Sequence, residues 1–205
     1  NFFGANTMKI AFSGAHRTGK TTIAQLAAKH LNTAYVSTKP ATTTAINIKT
    51  LEGLKGQLAL TNRLRVQTDM MVKMGDLYLN NKGGFFDRSM VDVLAYTLVH
   101  LDRINETYSP DRLEQQRIGT LIRNIVDRLV MADFTFITVP NIPFVNESGK
   151  AGLDTQQEVQ ECIEWVAKTY LAPNRYFILP EWADTANAKL AVITDVLKAK
   201  RVKGV

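Results

Sequence analysis

Gly14-Ala15-His16-Arg17-Thr18-Gly19-Lys20-Thr21 places two glycines around four residues, followed by Lys and a hydroxyl residue. This is the phosphate-binding loop pattern. Its spacing has a physical basis. Glycines let the backbone fold tightly, so that several N–H groups converge on one anion. Lys20 adds a mobile positive charge for terminal phosphates. The Thr21 hydroxyl is placed to ligate a magnesium ion. A Gly-rich turn that matches by chance is the alternative, and the flanking residues oppose it. Met8 to Ser13 reads as a short buried strand. Thr22 to Leu31 puts Ile23, Leu26, Ala27 and Leu31 on one helical face. A helix N-terminus there adds partial positive charge beneath the phosphates, so the cradle is expected to run from Gly14 through Thr22.

A second cluster, Asp87-Arg88-Ser89, follows the apolar pair Phe85-Phe86. A carboxylate at a strand end beside a phosphate loop can hold magnesium, directly or through water. Thr21 and Asp87 are therefore the candidate metal ligands. Arg88 can grip a phosphate or stabilise charge in transfer. The bland alternative is a surface ion pair.

These residues need a scaffold. Thr33 to Ser37 is a predicted second strand, with a loop or strained helix start at Pro40 and the threonines 42–44. A helix is expected from about Leu58 to Asn80, and a short strand over Gly84–Asp87. Helices are expected over Asp92–Leu101 and from Ser109-Pro110-Asp111 to about Met131. Phe134–Val139 is a strand stopped by Pro140, and residues 141–153 a loop. Asp154 or Thr155 is the expected cap of a helix reaching Tyr170. Tyr176–Leu179 is the last strand and Ala186–Lys200 the last helix. Strands alternating with helices predict a parallel sheet covered on both faces. Ligands then bind beyond the carboxyl ends of the strands, where the loop at Gly14, the Lys39 region and Asp87-Arg88-Ser89 should converge.

The chain has 205 residues, 45% of them hydrophobic, which suits one domain over residues 8–205. Residues 1–7 look like a cloning remnant or loose arm, without a signal peptide's basic start and apolar core. No apolar run approaches the roughly 18 residues that span a bilayer, so no membrane partner is expected. The single Cys162 cannot form an internal disulfide, which favours a reducing, cytoplasmic setting and a packing role for that thiol. The net charge of +6 fits polyanionic partners. The basic run Lys198–Lys203 reads as a solvated helix end.

The loop at Gly14–Thr22, then Asp87-Arg88-Ser89 with Asp92-Val93-Leu94-Ala95-Tyr96 after it, resembles the P-loop nucleoside and nucleotide kinases. The likeness is greatest to the branch with nicotinamide riboside kinase and thymidylate kinase-like domains. The segment Pro140–Val145, the Gln156–Tyr170 helix and the Tyr176–Leu179 strand extend it over nearly the whole chain from Met8. The resemblance implies a P-loop NTPase fold, a three-layer α/β/α sandwich on a mostly parallel five-stranded sheet. It implies ATP and magnesium, with Lys20, Asp87 and Arg88 as catalytic groups. It implies a lid near residues 144–153, with Lys150 as the nearest candidate for the cation over the transferred phosphoryl. Such a lid excludes water during transfer. Homodimers are common in that family.

Two departures stand out. Many relatives carry Glu-Pro after the second strand, the Glu serving as base for a hydroxyl acceptor, where this chain has Lys39-Pro40. Lysine is a poor base at neutral pH but a good phosphate contact. Either the acceptor already carries phosphate, or Asp87 or Asp92 supplies the base. The lid also lacks the expected arginine. On the acceptor side, Arg63 and Gln67 are four apart and share a helical face, with Met70-Met71 following. Gln can read a base edge and Met can pack on a ring; ordinary surface and core positions are the alternative. Arg117 is a further phosphate-facing candidate among Arg112, Arg117, Arg123 and Arg128. His30 and His100 look structural or exposed.

The leading expectation is an ATP-dependent phosphotransferase acting on a nucleoside, nucleotide or related small molecule, with a nucleoside monophosphate favoured. The alternatives are a kinase acting on hydroxymethylated bases within DNA, and a nucleotide-binding switch ATPase.

Overall fold

The computed structural model describes residues 8–38, 54–141 and 153–202. Five strands form one parallel sheet: β1 Lys9–Ser13, β2 Tyr35–Val36, β3 Gly84–Phe86, β4 Phe134–Ile137 and β5 Tyr176–Ile178, in the order β2-β3-β1-β4-β5. The helices are α1 Lys20–His30, α2 Gly56–Asn80, α3 Met90–Asn105, α4 Arg112–Val126, α5 Leu153–Tyr170 and α6 Ala186–Val202.

The central strands are apolar on both faces, which fits a sheet buried between two helical layers. Side-chain alternation sorts them. Ile10, Phe12, Phe85, Phe134 and Phe136 face one core with Ile23, Ala24, Ala27, Ile193 and Leu197 of α1 and α6. Phe12 stacks on Phe85 and Phe136 there, with ring centroids 5.9 and 5.6 Å apart. Ala11, Phe86 and Ile137 face the other core, built with residues of α2, α3, α4 and α5. The result is the expected three-layer α/β/α sandwich, with a sheet parallel throughout.

Several predicted boundaries move. Helix α3 starts at Met90 and runs on to Asn105, because Ser89 and Asp92 form a reciprocal capping box ahead of it. The helix predicted to reach Met131 ends at Val126, and a separate 3-10 turn covers Leu129–Met131. Helix α5 already includes Leu153, so Asp154 and Thr155 lie in its first turn rather than capping it. Strand β4 stops at Ile137, before the predicted Val139. Residues 1–7, Lys39, Pro40, the threonines 42–44 and the lid residues Asn146 to Lys150 lie outside the described residues.

Candidate active site

The loop between β1 and α1 is held from three directions: the start of α3, the segment past β4, and α6. Asp92 Oδ1 accepts the Gly14 N–H at 3.2 Å, and its Oδ2 accepts the Ser89 N–H at 2.9 Å. The capping carboxylate of α3 thus also fixes the first peptide of the loop. Ser13 and Ser89 hydroxyls bond at 2.5 Å. Thr138, past β4, donates its N–H to Ser13 O at 2.7 Å, and its hydroxyl meets that of Thr18 at 2.6 Å. Lys189 of α6 donates to Thr18 O at 3.2 Å and to Asn141 Oδ1 at 2.8 Å. A Cβ on Gly14 would lie 2.2 Å from Thr138 Oγ1 and 2.7 Å from Thr138 O, so only glycine fits.

Lys20 opens α1, with Gly19 before it in the left-handed region at φ 83°. No acidic residue lies in the first turn of α1, so nothing there neutralises its positive end. Lys20 Nζ donates to Gly14 O at 2.6 Å and to Ala15 O at 2.5 Å. Burial lowers its pKa to about 7, against the opposing pull of Asp92 and Asp87 and with the help of Arg88. The ammonium is thus held beneath the loop by two carbonyls, ready for an anion.

Asp87 follows β3 and is buried. Its Oδ1 accepts the Thr38 N–H at 2.8 Å and the Thr38 hydroxyl; its Oδ2 accepts the Tyr35 hydroxyl at 2.8 Å. The Thr21 hydroxyl stands 3.4 Å from the same Oδ2. A hydroxyl and a carboxylate side by side are hard oxygen donors of the kind magnesium takes together with substrate phosphates and waters. The pair fits that ion, although the described residues contain no group of three or more His, Cys, Asp or Glu that could hold a metal by itself.

Beside the loop lies a cavity of about 180 Å³ between α2 and α3. Arg63, Gln67 and Met70 of α2 line it, with Arg88, Asp92, Tyr96 and His100. The structure therefore brings the predicted substrate-binding residues Arg63, Gln67 and Asp92 together with Arg88, predicted as a catalytic group. Met71 does not join them: it is buried in the core. Gln67 is 2% exposed and its Oε1 has no hydrogen-bond partner. Arg63 has its pKa lowered by burial and by Arg103. Tyr78 stacks on Phe86 with centroids 4.1 Å apart and donates its hydroxyl to Arg88 O at 2.9 Å, fixing the backbone that carries Arg88.

His100, expected to be structural or exposed, lines this cavity and is largely buried. Burial first, then the charges of Arg63 and Arg103, lower its pKa to about 3, so it is neutral. Its i+4 spacing from Tyr96 was a signal available in the sequence; the two rings lie 6.2 Å apart. Arg117, by contrast, is exposed on α4. Cys162 packs against the core, and burial with Asp102 pushes its thiol to about 11, which fits its expected packing role. Tyr35 and Thr38, which hold Asp87, and Gln156 and Gln160, which touch the loop, were not among the candidates.

Sheet order and the loop between β1 and α1 define a P-loop α/β fold. The chain matches the AAA domain family AAA_28 over residues 9–190 and belongs to it. Among solved structures, it is similar to deoxyadenosine kinase from M. mycoides with bound dCTP, at 17% identity and a TM-score of 0.69, covering 94% of this chain and 100% of that one. Thymidylate kinase from Candida albicans gives 17% and 0.60, covering 96% and 93%. NadR protein in complex with NAD and AMP-PNP gives 16% and 0.63; this chain spans half of NadR's length and is itself covered to 94%. No curated protein sequence matches the chain. No helix among the described residues is long and apolar enough to cross a membrane.

Proposed function

We propose that the protein transfers the terminal phosphoryl group of ATP to a nucleotide that already carries a phosphate, such as a (deoxy)nucleoside monophosphate. The observation that carries this reading is the placement of Arg63 and Arg88 in one cavity beside the phosphate loop, with Asp92 its only described carboxylate. Both oxygens of Asp92 are engaged by backbone N–H groups, so it serves the loop and α3 rather than an acceptor hydroxyl. A cavity with two guanidiniums favours an anionic acceptor. The fold, shared with the structures of deoxyadenosine kinase and thymidylate kinase, supports the reaction class.

In this reading the loop N–H groups and Lys20 hold the donor phosphates. Magnesium, held by Thr21 with Asp87 beside it, would neutralise charge on those phosphates. Arg88 orients the acceptor phosphate. An oxygen of that phosphate forms the new bond to the γ-phosphorus as the bond to the bridging oxygen breaks, and ADP leaves. The attacking oxygen is already anionic, so no base is needed. Catalysis is then positioning and charge stabilisation. Gln67 Oε1, buried without a partner, takes an N–H donor from the acceptor base. Lys39 and Lys150, as further contacts to acceptor and transferred phosphate, belong to the same proposal.

The test is transfer of label from γ-labelled ATP with magnesium to three pools: nucleosides, nucleoside monophosphates, and DNA with and without hydroxymethylated bases. Label in a nucleoside diphosphate supports the reading. Label confined to nucleosides or to DNA overturns it in favour of those acceptors.

A further inference from the structure

Two glutamines of α5 grip the phosphate loop from outside. Gln160 Oε1 accepts the Ala15 N–H at 3.0 Å, and Gln156 Nε2 donates to His16 O at 2.7 Å. Both side chains are buried, one helical turn apart on the same face of α5. Buried amides in mid-helix need such partners, and these two spend theirs on consecutive residues of the loop. The amide of Gln160 is itself oriented: its Nε2 donates to Glu164 Oε1 at 3.2 Å, which turns Oε1 toward Ala15.

The consequence follows from peptide geometry. In a trans peptide the C=O and N–H point in opposite directions. The Ala15 N–H points to α5, so its peptide partner, Gly14 O, points away from α5; that carbonyl accepts Lys20 Nζ at 2.6 Å. Gln160 thereby sets the carbonyl that seats the lysine. By the same logic, His16 O points to α5, so the N–H of Arg17 points away from it. Arg17 has φ 64°, a left-handed conformation that costs a non-glycine residue energy and persists only when its surroundings impose it. Gln156 holds the peptide just before that residue.

We infer that Gln156 and Gln160 are positioning residues that set the phosphate loop in its anion-receiving form, Gln160 through the seat of Lys20 and Gln156 by holding the peptide that leads into the left-handed Arg17. This rests on the reading of the loop as the ATP site, and it says nothing about the acceptor. The preorganised loop then receives phosphate without rearrangement. Neither residue touches the nucleotide.

The experiment is calorimetric titration of the full chain with ADP and with a non-hydrolysable ATP analogue, each with magnesium. Gln156→Glu replaces the donor with a second acceptor facing His16 O; Gln156→Lys restores a donor. Gln160→Met keeps length but loses the acceptor. The expected result is at least tenfold weaker nucleotide binding for Gln156→Glu and Gln160→Met, with Gln156→Lys closer to the parent than Gln156→Glu. Should Gln156→Glu fail to fold, Gln156→Met, which lacks the donor but keeps the packing, carries the same expectation. Equal affinities across the series, even with lowered melting temperatures, would overturn the inference and leave the glutamines as packing residues. Parent protein that binds neither nucleotide would instead overturn the underlying ATP-site reading.

Discussion

Thr38 donates both its backbone N–H, at 2.8 Å, and its hydroxyl to Oδ1 of Asp87, tying the chain just past β2 to the end of β3. With Tyr35 on Oδ2, the neighbouring strand fixes the carboxylate and leaves Oδ2 facing the Thr21 hydroxyl. Asp87→Asn keeps most of these bonds but removes the charge. Steady-state assays should show phosphoryl transfer down roughly 10²-fold or more, with a higher magnesium requirement. Thr38→Val removes one bond to a charged group and should cost about 1.5–3 kcal/mol of stability, read from denaturant unfolding. An Asp87→Asn enzyme with full activity would remove Asp87 from the magnesium site.

Lys20 has its pKa lowered to about 7 by burial, so at pH 8 much of it is neutral in the free protein. Bound polyphosphate places negative charge beside it and raises that pKa. Nucleotide binding at pH 8 should therefore take up a fraction of a proton, and the uptake should shrink toward pH 6. Calorimetry in two buffers of different ionisation enthalpy measures it. Lys20→Ala should abolish the uptake and most of the affinity; unchanged uptake in that variant would place the proton elsewhere.

His100 gives a stability signature of its own. Its folded pKa of about 3 lies below the ordinary value of 6.5, so the unfolded chain binds a proton that the folded chain excludes. The contribution is fully present above pH 6.5 and is lost as pH falls from 6.5 toward 3. His100→Gln, which cannot charge, should flatten the fall in melting temperature over that range. An identical pH profile in parent and variant would mean that the imidazole charges freely in place.

Gln67 carries an opposed pair of expectations. Its Oε1 is buried without a partner, so Gln67→Leu should leave the free protein as stable or more so. The same change should raise the acceptor KM at least tenfold and leave the KM for ATP unchanged. Loss of stability without a change in acceptor KM would make Gln67 an ordinary core residue.

The sheet and the loop were legible because local rules decide them. Gly14 and Gly19 have spacing that few other structures require, and the runs at Phe85-Phe86 and Phe134–Ile137 are apolar enough to sit between two layers. The convergence of Gly14 and Asp87 followed from their places beyond the carboxyl ends of strands in a parallel sheet. Arg63, Gln67 and Met70 were found because spacings of four and three over about two helical turns put them on one face; Met71, one step round, belongs to the core. What the sequence did not disclose was side-chain use across long separations. Gln160 meets Ala15 across 145 positions, and no local pattern marks a mid-helix glutamine as a loop partner. Asp92 had two plausible uses, and only the fold shows its oxygens on Gly14 and Ser89. The neutral state of His100 depends on Arg63 and Arg103, brought beside it by α2 and by the next turn of α3.

The most direct test is the balance between ADP formed and acceptor phosphorylated, followed by phosphorus NMR with ATP, magnesium and a set of nucleoside monophosphates. The account predicts one nucleoside diphosphate product for each ADP released, from at least one monophosphate, and loss of both signals in Lys20→Ala. ADP and free phosphate appearing together at the same rate with every monophosphate, and with none, would contradict it and leave a nucleotide hydrolase.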